Sequence, residues 1–265
     1  MIIHSGLHRT GSSSTQSILM QLRKYLLEYE VFYPRNFVQG NCSQLAQDLF
    51  LHKFELFEEI LKEAKKSISS NGTILISAED FENLLFEPIF IKNLLQRLSK
   101  NGIFDVRFVY VFRNQFQYFE SLYSRLSIGN WSNNYSYFDM GNIIINFKSF
   151  EVYDKRNKLF FAFDYNKAIE NFRSIEEARM SCFEFNKFHK LFSGFELLRL
   201  CNIETADILD MYQNVDQSKI RLNNSISLDN IEFNYVCRFL GLQPTQENYL
   251  KNKEVFNGLI KARVE

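Results

Sequence analysis

Gly6-Leu7-His8-Arg9-Thr10-Gly11-Ser12-Ser13 is the stretch on which the fold turns. Before it stands the short apolar run Ile2-Ile3-His4, and after it Ile18, Leu22, Leu26 and Tyr29 recur at helical spacing, so the stretch joins a strand to a helix. Two glycines with four residues between them let the backbone curl until consecutive N–H groups point inward, and the helix amino terminus adds partial positive charge. Such a loop is an anion cradle. A nucleoside-triphosphatase loop of this outline carries lysine directly after its second glycine, where this chain has Ser12; a basic residue, Arg9, stands inside the loop instead.

Outward from the loop, strand and helix patterns alternate. Val31-Phe32-Tyr33-Pro34 reads as extended, and helical patterns run from Gln44 to Leu51 and from Phe54 to Ile68. Asn71-Gly72 breaks the chain before Thr73-Ile74-Leu75-Ile76-Ser77, a buried strand. A helix is expected over Ile91 to Leu98, the strongest strand over Val106 to Phe112, and a weaker one around Arg179 to Phe185. From Phe188 onward the chain reads as mainly helical, and Gly129 to Phe138 as a long surface loop. The alternation predicts an α/β fold, a central parallel sheet covered on both faces by helices, with ligands at the carboxyl ends of the strands. No linker, repeat or low-complexity tract divides the chain, so residues 1–265 read as one domain.

Composition narrows the function. Thirty-one Lys and Arg balance thirty-one Asp and Glu, which removes the broad positive field that binding a nucleic-acid backbone requires, so any anion site must be local. The cysteines Cys42, Cys182, Cys201 and Cys237 form no CxxC pair, which argues against zinc and disulfides and for reduced, mostly buried thiols. The first residues do not read as a signal peptide, and the most apolar region, Leu84 to Leu95, is too short and too interrupted to span a bilayer. A cytoplasmic protein is expected. The strand that could end in a magnesium-binding aspartate ends in Phe112-Arg113, so no metal site is predicted.

His4-Ser5-Gly6-Leu7-His8-Arg9-Thr10-Gly11-Ser12-Ser13-Ser14-Thr15-Gln16 resembles the 5'-phosphosulfate loop of the sulfotransferase superfamily, which in many bacterial members reads HxGLPKTGTTSLQ. His8 replaces the usual proline and Arg9 the usual lysine; arginine there is similar to the tyrosylprotein branch. Arg113, at the end of its strand, and Ser121, eight residues later on the following helix, resemble the family's 3'-phosphate segment. In that helix Phe116, Phe119, Leu122, Tyr123 and Leu126 form an apolar stripe, while Gln117, Ser121 and Arg125 share another face. Thr73-Ile74-Leu75-Ile76-Ser77-Ala78-Glu79-Asp80-Phe81 is similar to the strand and acidic turn of bacterial and carbohydrate sulfotransferases.

The resemblance implies a P-loop-like sulfotransferase fold over residues 1–265 and metal-independent transfer from 3'-phosphoadenosine 5'-phosphosulfate (PAPS), leaving adenosine 3',5'-bisphosphate (PAP). It assigns His8, Arg9, Thr10, Gly11, Ser12, Ser13, Arg113 and Ser121 to the cofactor. Glu79 becomes the catalytic base, with Asp80 as substitute, and Arg9 a catalytic cation at the leaving oxygen. Arg221 is a further candidate for the cofactor. The branch and the absence of a GxxGxxK segment imply a hydroxyl-bearing carbohydrate or glycolipid acceptor. The loop that holds Trp131, the only tryptophan, is suited either to stacking on a sugar or to a plain surface role with Trp131 tucked back into the core. Two other functions fit the residues: a P-loop kinase with a degenerate loop, and a sulfotransferase-like binding module without chemistry.

Overall fold

The computed structural model describes residues 1–7, 10–35, 37, 40–86, 88–115, 117, 118, 121, 165–189, 191–220 and 247. Five strands, β1 (Ile2–Gly6), β2 (Val31–Phe32), β3 (Thr73–Ser77), β4 (Arg107–Phe112) and β5 (Arg179–Glu184), form a sheet in the order β2-β3-β1-β4-β5. Every neighbouring pair is parallel. The helices are α1 (Ser12–Glu28), α2 (Ser43–Phe50), α3 (Glu55–Ser67), α4 (Pro88–Lys100), α5 (Tyr165–Arg173), α6 (Phe185–Phe188), α7 (Phe195–Leu200) and α8 (Thr205–Gln213), with a 3-10 helix over Glu79–Phe86 directly after β3. The chain is therefore of the α/β class.

The central strands are apolar runs because both faces of the sheet are covered. Successive side chains point to opposite faces, and the two cores separate accordingly. Ile3, Ile74, Ile76, Phe108 and Tyr110 pack with Leu45 of α2, Phe57 of α3, Ile91 of α4 and Phe172 of α5. Ile2, Leu75, Val109 and Val111 pack with Leu19 and Leu22 of α1, Leu198 of α7 and Ile208 of α8. Among the described residues no helix is long and apolar enough to cross a membrane.

One sequence expectation needs correction. Tyr29 does not belong to the buried stripe of α1: the helix stops at Glu28, Tyr29 is its C-cap and is 37% exposed, and Leu19 fills the face instead. Among the described cysteines the thiols are free and mostly buried: Cys42 and Cys201 are enclosed, and Cys182 is exposed on β5, at the sheet edge. Burial pushes the thiols of Cys42 and Cys201 up to about 12, which keeps them protonated and inert. Cys237, the loop from Gly129 to Phe138, and the chain beyond 220 other than Glu247 lie outside the described residues, as do Phe116, Phe119, Leu122, Tyr123, Arg125 and Leu126.

The strand order positions the site. From β1 the chain leaves toward β2 on one side, while from the neighbouring β4 it leaves toward β5 on the other. Adjacent strands whose exits diverge open a crevice at their carboxyl ends, here between β1 and β4.

Candidate functional site

At the mouth of that crevice β1 ends at Gly6 and α1 begins at Ser12. Gly11 is the N-cap of α1, in the left-handed region at φ 77°, where a residue with a side chain is strained. No side chain caps the helix and its first turn holds no acid. The amides of Ser14 and Thr15 both donate to the Gly11 carbonyl. The amides of Gly11, Ser12 and Ser13 thus lie at the helix's open end, which has no intrahelical carbonyl to offer them and favours negative charge.

Thr10 plays a part different from that of an anion ligand. Both its amide (3.1 Å) and its hydroxyl (2.6 Å) donate to the Leu7 carbonyl, and the side chain is buried, so it braces the loop from inside. The turn has no room at Gly6, where a Cβ would come 2.8 Å from Thr10 Oγ1.

Glu79 reaches the same place from β3. His4 of β1 is in register with Ser77 of β3, and the Ala78 amide donates to the His4 carbonyl, so Glu79 leaves the sheet beside the loop. The Ser12 hydroxyl donates to Glu79 Oε1, and the Ser13 hydroxyl lies 3.4 Å from the same oxygen. Arg113 approaches from β4: Gly6 is aligned with Val111, so Arg113 stands two residues past that point, half-buried, its guanidinium 5.0 Å from the centre of the Phe185 ring. The structure thus brings Gly11, Ser12, Ser13 and Glu79 together, with Arg113 at the adjoining strand end. Ser121 is helical and half-buried farther along the chain, and Asp80 is the second residue of the 3-10 helix, directly after Glu79. His8, Arg9, Trp131 and Arg221 lie outside the described residues.

Beneath the loop are groups that the sequence motifs do not mark. His4 Nδ1 is 2.8 Å from Ser77 Oγ, and its ring stacks on Phe188 with centroids 5.4 Å apart. Burial, followed by the neighbouring His189 and opposed by Glu79, holds its pKa down at about 3, so the imidazole is neutral. His189 Nε2 lies 2.8 Å from the Thr10 carbonyl oxygen, and burial lowers its pKa as well. One turn into the 3-10 helix, fully buried Glu82 accepts the Tyr118 hydroxyl at 3.0 Å. Burial first and Glu82 second keep that phenol protonated by raising its pKa far above the usual value. The only sequence signal for His189 is the rarity of histidine, with four in the chain. A partner 179 positions away leaves no local pattern.

The donors facing the crevice are amides, hydroxyls and a guanidinium, joined by one carboxylate. That set suits a polyanion with a proton-bearing acceptor beside it. The chain matches no protein-family model, no curated protein and no solved structure.

Proposed function

We propose that the chain is a sulfotransferase with a P-loop-like sulfotransferase fold, transferring the sulfuryl group of PAPS to an acceptor hydroxyl on a carbohydrate or glycolipid. The observation that carries this reading is Glu79: a carboxylate from β3 hydrogen-bonded to the first residue of α1, beside an uncapped helix terminus that favours an anion. A phosphate cradle used only for binding has no need of a carboxylate, which repels its ligand. A base for an acceptor hydroxyl accounts for it.

When bound, the cofactor supplies the sulfuryl group and the phosphate oxygen that leaves. The chain's residues bind, orient and take a proton. The amides of Gly11, Ser12 and Ser13 and the Ser13 hydroxyl hold the 5' end, with Arg9 as the loop's cation, while Arg113 and Ser121 recognise the 3'-phosphate. Ser12 has one proton to donate and can serve either Glu79 or an anion in the cradle. Turning to the anion, it would move one hydroxyl from the carboxylate to the ligand, while Glu79 takes the acceptor's proton.

Calorimetry with adenosine 3',5'-bisphosphate, AMP and ATP, with and without magnesium, tests the reading when paired with a transfer assay on candidate glycans. Metal-free binding of the bisphosphate well above AMP, together with transfer, is the expected result. A preference for magnesium–ATP would favour the kinase, and bisphosphate binding without transfer to any acceptor the binding-only module.

A further inference from the structure

The peptide between Thr10 and Gly11 is the weak point of the loop. Glycine tolerates both signs of φ, so this plane can turn over with little steric cost, and a turned plane would aim the Thr10 carbonyl, not the Gly11 amide, at the anion. A carbonyl oxygen facing a phosphate or sulfate oxygen repels it.

We propose that His189 is a positioning residue that prevents this turn, by holding the Thr10 carbonyl on the side of the loop away from the anion. A trans peptide is planar, with its C=O and N–H pointing in opposite directions. His189 Nε2 is 2.8 Å from the Thr10 oxygen, and since a carbonyl only accepts, Nε2 carries the hydrogen and donates it. Fixing that oxygen against His189 therefore directs the Gly11 N–H away from the ring, toward the crevice.

The ring is held for this task. Phe185 and Phe188 each present an edge-on contact to it, with centroids 4.9 Å away, and the His189 amide donates to the Phe185 carbonyl at the end of α6. Phe188 in turn stacks on His4 of β1. The segment comes from β5, so it spans the end of β4 to reach the loop after β1. On its way it places Phe185 beside the Arg113 guanidinium, which links both ends of the crevice through one short helix. Gly11 has its own reason to lack a side chain here, since a Cβ would come 2.9 Å from His189 Nε2.

The role of the Gly11 amide as a cofactor ligand rests on the proposed function, but the orientation of the peptide does not, and the test separates them. His189→Phe keeps a ring without a donor, and His189→Gln keeps a donor at similar reach without a ring. In the ligand-free protein, the Thr10 carbonyl carbon and Gly11 amide nitrogen resonances should shift in His189→Phe, where the bond to the carbonyl is lost, and stay near their wild-type positions in His189→Gln. Adenosine 3',5'-bisphosphate affinity should fall about tenfold in the first and be retained in the second. In the unsubstituted protein, a scalar coupling between His189 15Nε2 and the Thr10 carbonyl carbon should be detectable, which needs no variant to fold. Absence of that coupling, unchanged Thr10 and Gly11 resonances in His189→Phe, or an equal loss in His189→Gln overturns the proposal. If the wild type ignores the bisphosphate while the coupling and the resonance shifts behave as stated, the cofactor assignment fails and the positioning role stands.

Discussion

Glu79 and Ser12, 67 residues apart in sequence, meet where β3 and the loop after β1 leave the sheet, the Ser12 hydroxyl donating to the carboxylate. Replacing Glu79 by Gln preserves the size and one acceptor of that contact while removing its basicity. Sulfuryl transfer should fall by roughly 10²–10⁴ with bisphosphate affinity changed only a few-fold. Steady-state kinetics beside calorimetry measures both. Normal turnover in Glu79→Gln with loss in Asp80→Asn would move the base by one residue.

Arg113 ends the strand next to the loop, where it can supply the charge that separates a 3'-phosphorylated nucleotide from AMP. Arg113→Ala should weaken adenosine 3',5'-bisphosphate by about tenfold to a hundredfold, the equivalent of a lost charge-assisted contact, and leave AMP unaffected. Equal weakening of both nucleotides would show that Arg113 supports the site as a whole rather than reading the 3' group.

Gly11 and Gly102 form an internal comparison. Both have left-handed φ, 77° and 79°, but a Cβ on Gly11 meets His189 whereas one on Gly102 meets nothing within 4 Å. Gly102→Ala should cost about 1–2 kcal/mol, the backbone penalty alone. Gly11→Ala should cost at least about 1 kcal/mol more, because His189 must also give up the Thr10 carbonyl. Denaturant midpoints of the two variants read the difference, and equal costs would mean that the ring yields freely.

The sheet and the loop were legible because their causes are local. Ile74-Leu75-Ile76 and Phe108-Val109-Tyr110-Val111 can be buried on both faces only as central strands, and Gly6 and Gly11 bracket a turn that tolerates no Cβ. The place of Glu79 beside the loop was legible for a related reason: it lies two residues past the buried end of β3. What could not be read depends on distant partners. Thr10 looks like a ligand until its hydroxyl is seen on the Leu7 carbonyl, and His189 sits in an unremarkable Phe-rich segment until the order β1-β4-β5 brings it over the loop. Glu82 and Tyr118 are likewise paired by tertiary packing, across 36 residues. Tyr29 failed because periodicity carries no information about where a helix stops.

Acid stability should report on His4. In the unfolded chain its imidazole takes up a proton near its ordinary pKa of 6.5; in the fold, burial reinforced by His189 delays this to about 3. Between those values the unfolded state binds more protons, so stability rises with pH across that window, is complete above about 6.5 and is lost as pH falls toward 3. One such group contributes a slope of up to about 1.4 kcal/mol per pH unit. His189, also lowered by burial, acts with the same sign. His4→Asn removes one titration and retains an amide that can bond Ser77. Its stability at pH 7.5 should be lower, since the stacking on Phe188 is gone, yet its decline between pH 6 and 4.5 should be shallower than wild type by up to about 1.4 kcal/mol per pH unit. Carboxylates titrate alike in both proteins and cancel in the difference. Denaturant unfolding curves at intervals across that range decide the matter: parallel declines would mean that His4 is protonated in the folded protein, and that the floor beneath the loop is charged rather than neutral.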